Sequence, residues 1–119
     1  METGERLVFD RREMLDRLGG DVEFLEDVLE VFLDESPKMM DATRGAVHDG
    51  DARRVERSAH TLKGALMNIA AEPAAELAAR LETLGREESL DDCPRVLAAL
   101  ETAIAMLERT LRDGAPHPA

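Results

Sequence analysis

The chain has 119 residues, 44% of them hydrophobic and 34% charged, with a formal net charge of −11. This length suits one domain able to bury a core without staples, and the charge weighs against nucleic acid and anionic membrane as partners, since both repel a polyanion. The single cysteine, Cys93, excludes an internal disulfide and a thiolate metal cluster; no apolar run approaches the roughly 20 residues of a membrane span, and the N-terminus lacks the apolar core of a signal peptide, so a soluble, cytoplasmic protein is expected.

Leu, Ala, Glu and Arg dominate, and the only aromatics are Phe9, Phe24 and Phe32, a composition that favours helix. Residues 1–9 read as a lead-in. Asp10, with Glu13 three residues on, looks like a helix cap. It opens a short helix carrying Met14, Leu15 and Leu18 and ended by Gly19-Gly20. Asp21 caps the next helix, whose stripe is Val22, Leu25, Val28, Leu29, Phe32 and Leu33.

Ser36-Pro37 interrupts that pattern, because proline lacks the backbone donor and disfavours helix before it. The helix either breaks and restarts at Pro37 or runs on with a kink; two segments on nearly one line, acting as one long element, are expected, the second carrying Met39, Met40, Thr43, Ala46 and Val47 to a stop at Asp49-Gly50. Asp51 then caps a helix running to about Ile69 or Ala70, with Val55, Ala59, Leu62, Leu66 and Ile69 as its apolar stripe. Glu72-Pro73 starts another helix, with Leu77, Ala78, Leu81 and Leu84, stopping near Gly85.

After a polar loop at Glu87–Asp92, Cys93-Pro94 begins the last helix. It carries Val96, Leu97, Leu100, Ala103, Ile104, Leu107 and Leu111. Residues 113–119, with two prolines, read as a disordered tail. Four striped elements with short links, at 21–49, 51–70, 73–85 and 94–112, predict an all-α fold. The plain solution is an antiparallel up-down four-helix bundle over 10–112, capped at one end by the short N-terminal helix.

The chemistry concentrates in the helix from Asp51. At roughly 100° per residue its stripe centres about 130° from His60, which therefore points outward or sits at the border. Gly64 follows one turn on, although glycine inside a helix costs about 1 kcal/mol against alanine; it removes a side chain that would overhang an approaching partner. Lys63 is one of two lysines against thirteen arginines. Arg53, Arg54, Arg57 and Lys63 face only Glu56 over this stretch, a positive patch on an acidic chain. An exposed imidazole with a clear approach and cations nearby suits a phosphoryl acceptor, since phosphoryl transfer needs positioning and charge stabilisation more than elaborate covalent chemistry.

The stretch Ala59-His60-Thr61-Leu62-Lys63-Gly64 resembles the signature of histidine-containing phosphotransfer (HPt) domains of bacterial and fungal phosphorelays. The likeness continues through Ala65–Ala71 and the helix with Leu77 and Leu81-Glu82, and spans roughly Asp10 to Arg112. Two departures are mild: Ala65 stands where a small residue, often serine, is common, and Ala70 where a glycine often ends the helix. The resemblance implies the same bundle, His60 as phosphoacceptor, and receiver domains of response regulators or a hybrid kinase as partners. It also implies Mg²⁺ on the receiver and no cofactor on this chain, which would be a phosphocarrier and not an autonomous enzyme.

Glu82 has a geometric claim to the site. The turn between its helix and that of His60 centres near Ala71, eleven residues from each, so an antiparallel hairpin brings the two to one height. A carboxylate there is placed to accept from Nδ1–H of His60 and leave Nε2 unprotonated; the alternative is an ordinary solvated glutamate. HPt domains resemble this in using a polar residue of the following helix for that purpose. Lys63 either neutralises phosphate, salt-bridges a partner or is an ordinary surface lysine. Arg53 and Arg57 either steer docking onto an acidic receiver pocket or form a plain charged surface. Met67 and Asn68 line the docking surface, or Met67 packs at the core edge. His48 reads as structural, in a helix's last turn, and His117 as an idle tail residue.

No paired Glu-x-x-His, Walker loop, Gly-x-Gly-x-x-Gly, His-Glu-x-x-His or nucleophile elbow occurs, so neither a metal site nor a kinase domain is expected in this chain. Two rival readings share the motif. One is the phosphate-accepting module of a chemotaxis-type histidine kinase; the other is a non-catalytic helical adaptor that binds a receiver domain. A dimeric assembly protein would need apolar stripes beyond those one bundle consumes, so a monomer is expected, and Met1 allows a free-standing protein.

Overall fold

Three aspartates open three of the helices. In the structure, a computed structural model describing residues 7–113, the carboxylates of Asp10, Asp21 and Asp51 accept from the backbone N–H of Glu13, Phe24 and Arg54. Each satisfies a donor that the first helical turn leaves without an intrahelical partner. These caps start α1 (Arg11–Arg17), α2 (Val22–Asp49) and α3 (Ala52–Asn68). Proline in the first turn starts α4 (Glu72–Arg86) and α5 (Cys93–Arg112), where its missing N–H costs nothing. The polar loop before α5 contains one turn of 3₁₀-helix at Leu90–Asp92.

α1 and α2 close with Gly19 and Gly50 in the left-handed conformation. α3 and α4 close by the same hydrogen-bond pattern but with Ala70 and Glu88 at φ 57°. There Ala71 N–H donates to Leu66 O at 3.0 Å and Ser89 N–H to Leu84 O at 2.9 Å. A side chain in this region costs about 1–2 kcal/mol.

α2, α3, α4 and α5 form an antiparallel four-helix bundle, with α3 packed most extensively on α4. The whole predicted stripe of α3 is buried, from Val55 to Ile69. So are Leu25, Leu29 and Phe32 of α2, Ala78 and Leu81 of α4, and Leu100, Ile104 and Leu107 of α5. α1 covers the end of α3: Arg17 NH1 reaches Met67 O at 2.9 Å and Asn68 O at 3.3 Å, and Asp10 N–H donates to Ala70 O at 3.1 Å. The guanidinium thus meets carbonyls at the negative end of α3, of which Met67 O also accepts from Ala70 N–H at 3.1 Å. Phe9 is buried in the core and Val8, half-buried, packs against it, so packing begins before Asp10.

α2 departs from expectation at Pro37, where it is one continuous helix of 28 residues and not two. Proline forfeits one backbone bond and crowds the preceding turn, at about 3 kcal/mol. Its ring faces solvent, while Phe32, Ser36, Met40, Thr43 and Ala46 are buried on both sides of it and hold the rod together. The fully buried Ser36 hydroxyl donates to Glu108 of α5 at 2.5 Å. Val22, expected inside, is exposed because it lies in the first turn; Phe24 and Val31, two turns apart on α2, also stand in solvent. Among the described residues no helix is long and apolar enough to cross a membrane. The predicted tail from Gly114, with His117, lies outside the described residues.

Candidate functional site

His60 projects from the outer face of α3 with 66% of its side chain exposed. The burial of Val55, Ala59, Leu62 and Leu66 on the opposite side turns it there. Its Nδ1 lies 2.9 Å from Oε2 of Glu82, which reaches across from α4. Glu82 is not at the solvated border: only 8% of its side chain is exposed. A carboxylate at that depth needs charged partners. It has them in Lys63, whose Nζ is 2.8 Å from Oε1, and Arg86, whose NH2 is 3.2 Å from Oε2. Burial pushes the Glu82 carboxyl up, but hydrogen bonds from Lys63 and His60 outweigh it and hold the group below its ordinary value. Glu82 is therefore an anion, an acceptor only, so its contact places a proton on Nδ1 of His60; in the neutral ring the lone pair is then on Nε2.

Gly85 explains how the two helices come close enough. A Cβ there would lie 2.6 Å from Glu56 N and 2.9 Å from Ala52 O, so α4 rests its glycine directly on the backbone of α3. The sequence reading ended this helix near Gly85, and α4 does end at Arg86; Gly85 stands in its last turn, one turn from Glu82. Gly64 is the opposite case, since a Cβ there would meet nothing within 4 Å. It is exposed and clears the surface beside His60.

Arg53, Glu56, Arg57, His60, Thr61 and Glu82 line one open groove. Arg86 Nε pairs with Glu56 Oε2 at 3.2 Å, and Arg54 is turned away to Asp49 at 2.8 Å. Among the described residues no carboxylate pairs with Arg53 or Arg57. Lys63 and Arg86 offset Glu82 and Glu56, which leaves those two guanidiniums as uncompensated charge beside the imidazole. Met67 is exposed and not packed at the core edge; it continues the line of Arg53, His60 and Gly64 along α3. Asn68 is exposed next to it. His48 is exposed, its Nδ1 3.4 Å from Asp49.

The structure thus brings His60, Lys63 and Glu82 into one cluster, with Arg53 and Arg57 flanking it and Met67 and Asn68 at the far end of the same helix. The sequence reading missed Arg86, although its spacing of four from Glu82 on one helix was a signal for an ion pair. Lys63, read as free to face phosphate or a partner, is committed to Glu82. Among the described residues no group of three His, Cys, Asp or Glu side chains is arranged to hold a metal ion.

Comparisons with known proteins bear on the fold and the family. Curated protein sequences return no match. Among solved structures, the fold is similar to that of histidine-containing phosphotransfer protein B from Pseudomonas aeruginosa, with a TM-score of 0.84 and 21% identity over 92% of this chain and 95% of that one. The family model described as the Hpt domain matches residues 27–110, from the first half of α2 to near the end of α5. The chain therefore belongs to the Hpt domain family, the phosphotransfer domains of two-component signalling, which interact with receiver domains.

Proposed function

We propose that His60 carries a phosphoryl group between receiver domains: Nε2 takes it from the phospho-aspartate of one receiver and gives it up to the aspartate of another. The observation that supports this most is an exposed imidazole whose Nδ1 rests 2.9 Å from a buried carboxylate. With the proton on Nδ1, the Nε2 lone pair is free to attack phosphorus. A P–N bond forms as the P–O bond to the aspartyl carboxylate breaks, and the carboxylate leaves with the electron pair. The ring keeps its Nδ1 proton and becomes cationic, with the Glu82 anion against it. Onward transfer runs the same step in reverse against a second carboxylate, and no proton has to move in either direction.

The remaining side chains suit this scheme. Arg53 and Arg57 supply positive charge for an acidic receiver pocket. Gly64 leaves room for the receiver's loops, and Met67 and Asn68 extend the contact surface along α3. Lys63 balances Glu82 in the resting chain and is near enough to turn toward phosphate once His60 carries it. Mg²⁺ belongs to the receiver in this scheme, and we assign no metal or other cofactor to this chain. The same reading makes it a cytoplasmic monomer.

The test is incubation of the chain with a phosphorylated receiver domain and Mg²⁺, beside His60→Gln. An acid-labile, base-stable label on the wild type alone is expected. Label on His60→Gln, or none on either protein from several receivers, would overturn the assignment; the second result would favour a docking adaptor.

A further inference from the structure

The carboxylate that faces His60 is itself held, and the residue that holds it lies outside the His-x-x-Lys-Gly stretch. Arg86 stands one turn beyond Glu82 on α4 and donates through NH2 to Oε2, the same oxygen that faces His60 Nδ1. Its Nε donates across the groove to Glu56 Oε2 at 3.2 Å. Glu56 sits one turn before His60 on α3. A single planar guanidinium, one turn along the hairpin from the imidazole, therefore ties the two helices together. Lys63 takes only the other oxygen, Oε1. Held by Lys63 alone, a flexible glutamate side chain is free to swing its second oxygen away from the ring. The fixed fork of Arg86, anchored at Glu56, sets the plane of the carboxylate.

Stability is not the purpose of this arrangement. The Arg86 side chain is 56% exposed and that of Glu56 37%, so this pair contributes little to folding, and the buried Glu82 keeps Lys63 as its charged partner when Arg86 is removed. What Arg86 and Glu56 do fix is the direction of one lone pair. In water a neutral histidine side chain prefers its proton on Nε2, the atom that must here be bare. We propose that Arg86, braced on Glu56, is a positioning residue for phosphoryl transfer: it holds the Glu82 carboxylate where it keeps the His60 proton on Nδ1. Its consequence for transfer rests on the reading of His60 as the acceptor; its effect on the ring does not.

The experiment uses the full chain labelled with ¹⁵N-histidine. NMR under alkaline conditions reads the Nδ1 and Nε2 shifts of His60, assigned against His60→Gln, in wild type, Arg86→Ala, Arg86→Lys and Glu56→Gln. The wild type is expected to show the Nδ1–H tautomer. Arg86→Ala and Glu56→Gln are expected to move part of the population to Nε2–H and to slow transfer from a receiver several-fold, with the unfolding midpoint little changed. Arg86→Lys keeps the charge but lacks the fork, so it restores neither reading fully. Should Arg86→Ala fail to fold, Glu56→Gln carries the test. A wild-type tautomer in every variant, with normal wild-type labelling, overturns the role of Arg86. A wild type that takes no label while the variants still shift overturns the transfer reading and leaves the hold on the ring standing.

Discussion

Gly85→Ala adds one methyl group where α4 touches the backbone of α3. The new Cβ would lie 2.6 Å from Glu56 N, 2.9 Å from Ala52 O and 3.0 Å from Glu56 Cα. None of these atoms belongs to a side chain that can turn aside. Non-bonded carbon contacts relax at about 3.5–4.0 Å, so the helices must part by about 1 Å at this level. Forcing a methylene into a packed contact costs about 1–3 kcal/mol, while alanine for glycine inside a helix returns about 1 kcal/mol. The net expectation is a loss of about 1 kcal/mol.

The same parting acts on the site. Glu82 lies one turn from Gly85, and its 2.9 Å contact with His60 would stretch past the range of about 3.2 Å in which such hydrogen bonds are made. Urea unfolding should therefore show a lower midpoint at unchanged slope, and ¹⁵N NMR should show Nε2–H tautomer appearing at His60. A midpoint that stays or rises, with the tautomer intact, would refute the close approach of α3 and α4 and the dependence of the ring on it.

Gly64→Ala should do the reverse for stability, since its methyl meets nothing: the unfolding free energy rises by about 1 kcal/mol and the midpoint with it. If Gly64 clears a docking surface, the same variant transfers phosphate more slowly; equal transfer would remove that role. Acid titration addresses Glu82. Its folded-state value is lowered below the ordinary 4.5, so its contribution is fully present above that value and is lost as pH falls through the lowered one. Denaturant midpoints measured from neutral pH down past 4 should fall less steeply for Glu82→Gln than for wild type, and parallel curves would show that the carboxylate is not held as described.

Much of this arrangement was legible before any coordinates. The buried positions of α3 recur in steps of four and three, so the outward placement of His60 followed from angle alone. The level of Glu82 followed from counting outward from Ala71, because an antiparallel hairpin preserves distance from its turn. The depth of Glu82 did not follow, since periodicity fixes direction and not how far a neighbouring helix shields a side chain. Gly85 read as a stop because glycine favours helix ends, and α4 does end one residue later; only the backbone of α3 beneath it reveals that the same glycine is the point of close approach. Pro37 read as a break for a similar reason: the local penalty is visible in sequence, whereas the buried residues that outweigh it, Ser36 among them with its bond to Glu108, belong to packing. Arg86 needed two carboxylates from different helices to declare itself.

The contact between His60 and Glu82 closes over 22 residues, and that between Ser36 and Glu108 over 72. By the logarithmic cost of loop closure the longer one demands about 1 kcal/mol more chain entropy. Contacts that are cheap to close tend to form first. Everything assigned to the chemistry, from Arg53 to Arg86, lies on the short-range hairpin of α3 and α4. Closure cost thus favours assembly of the reactive geometry ahead of the long-range seam between α2 and α5. A newly made chain would hold the outline of its acceptor site before α5 has been synthesised.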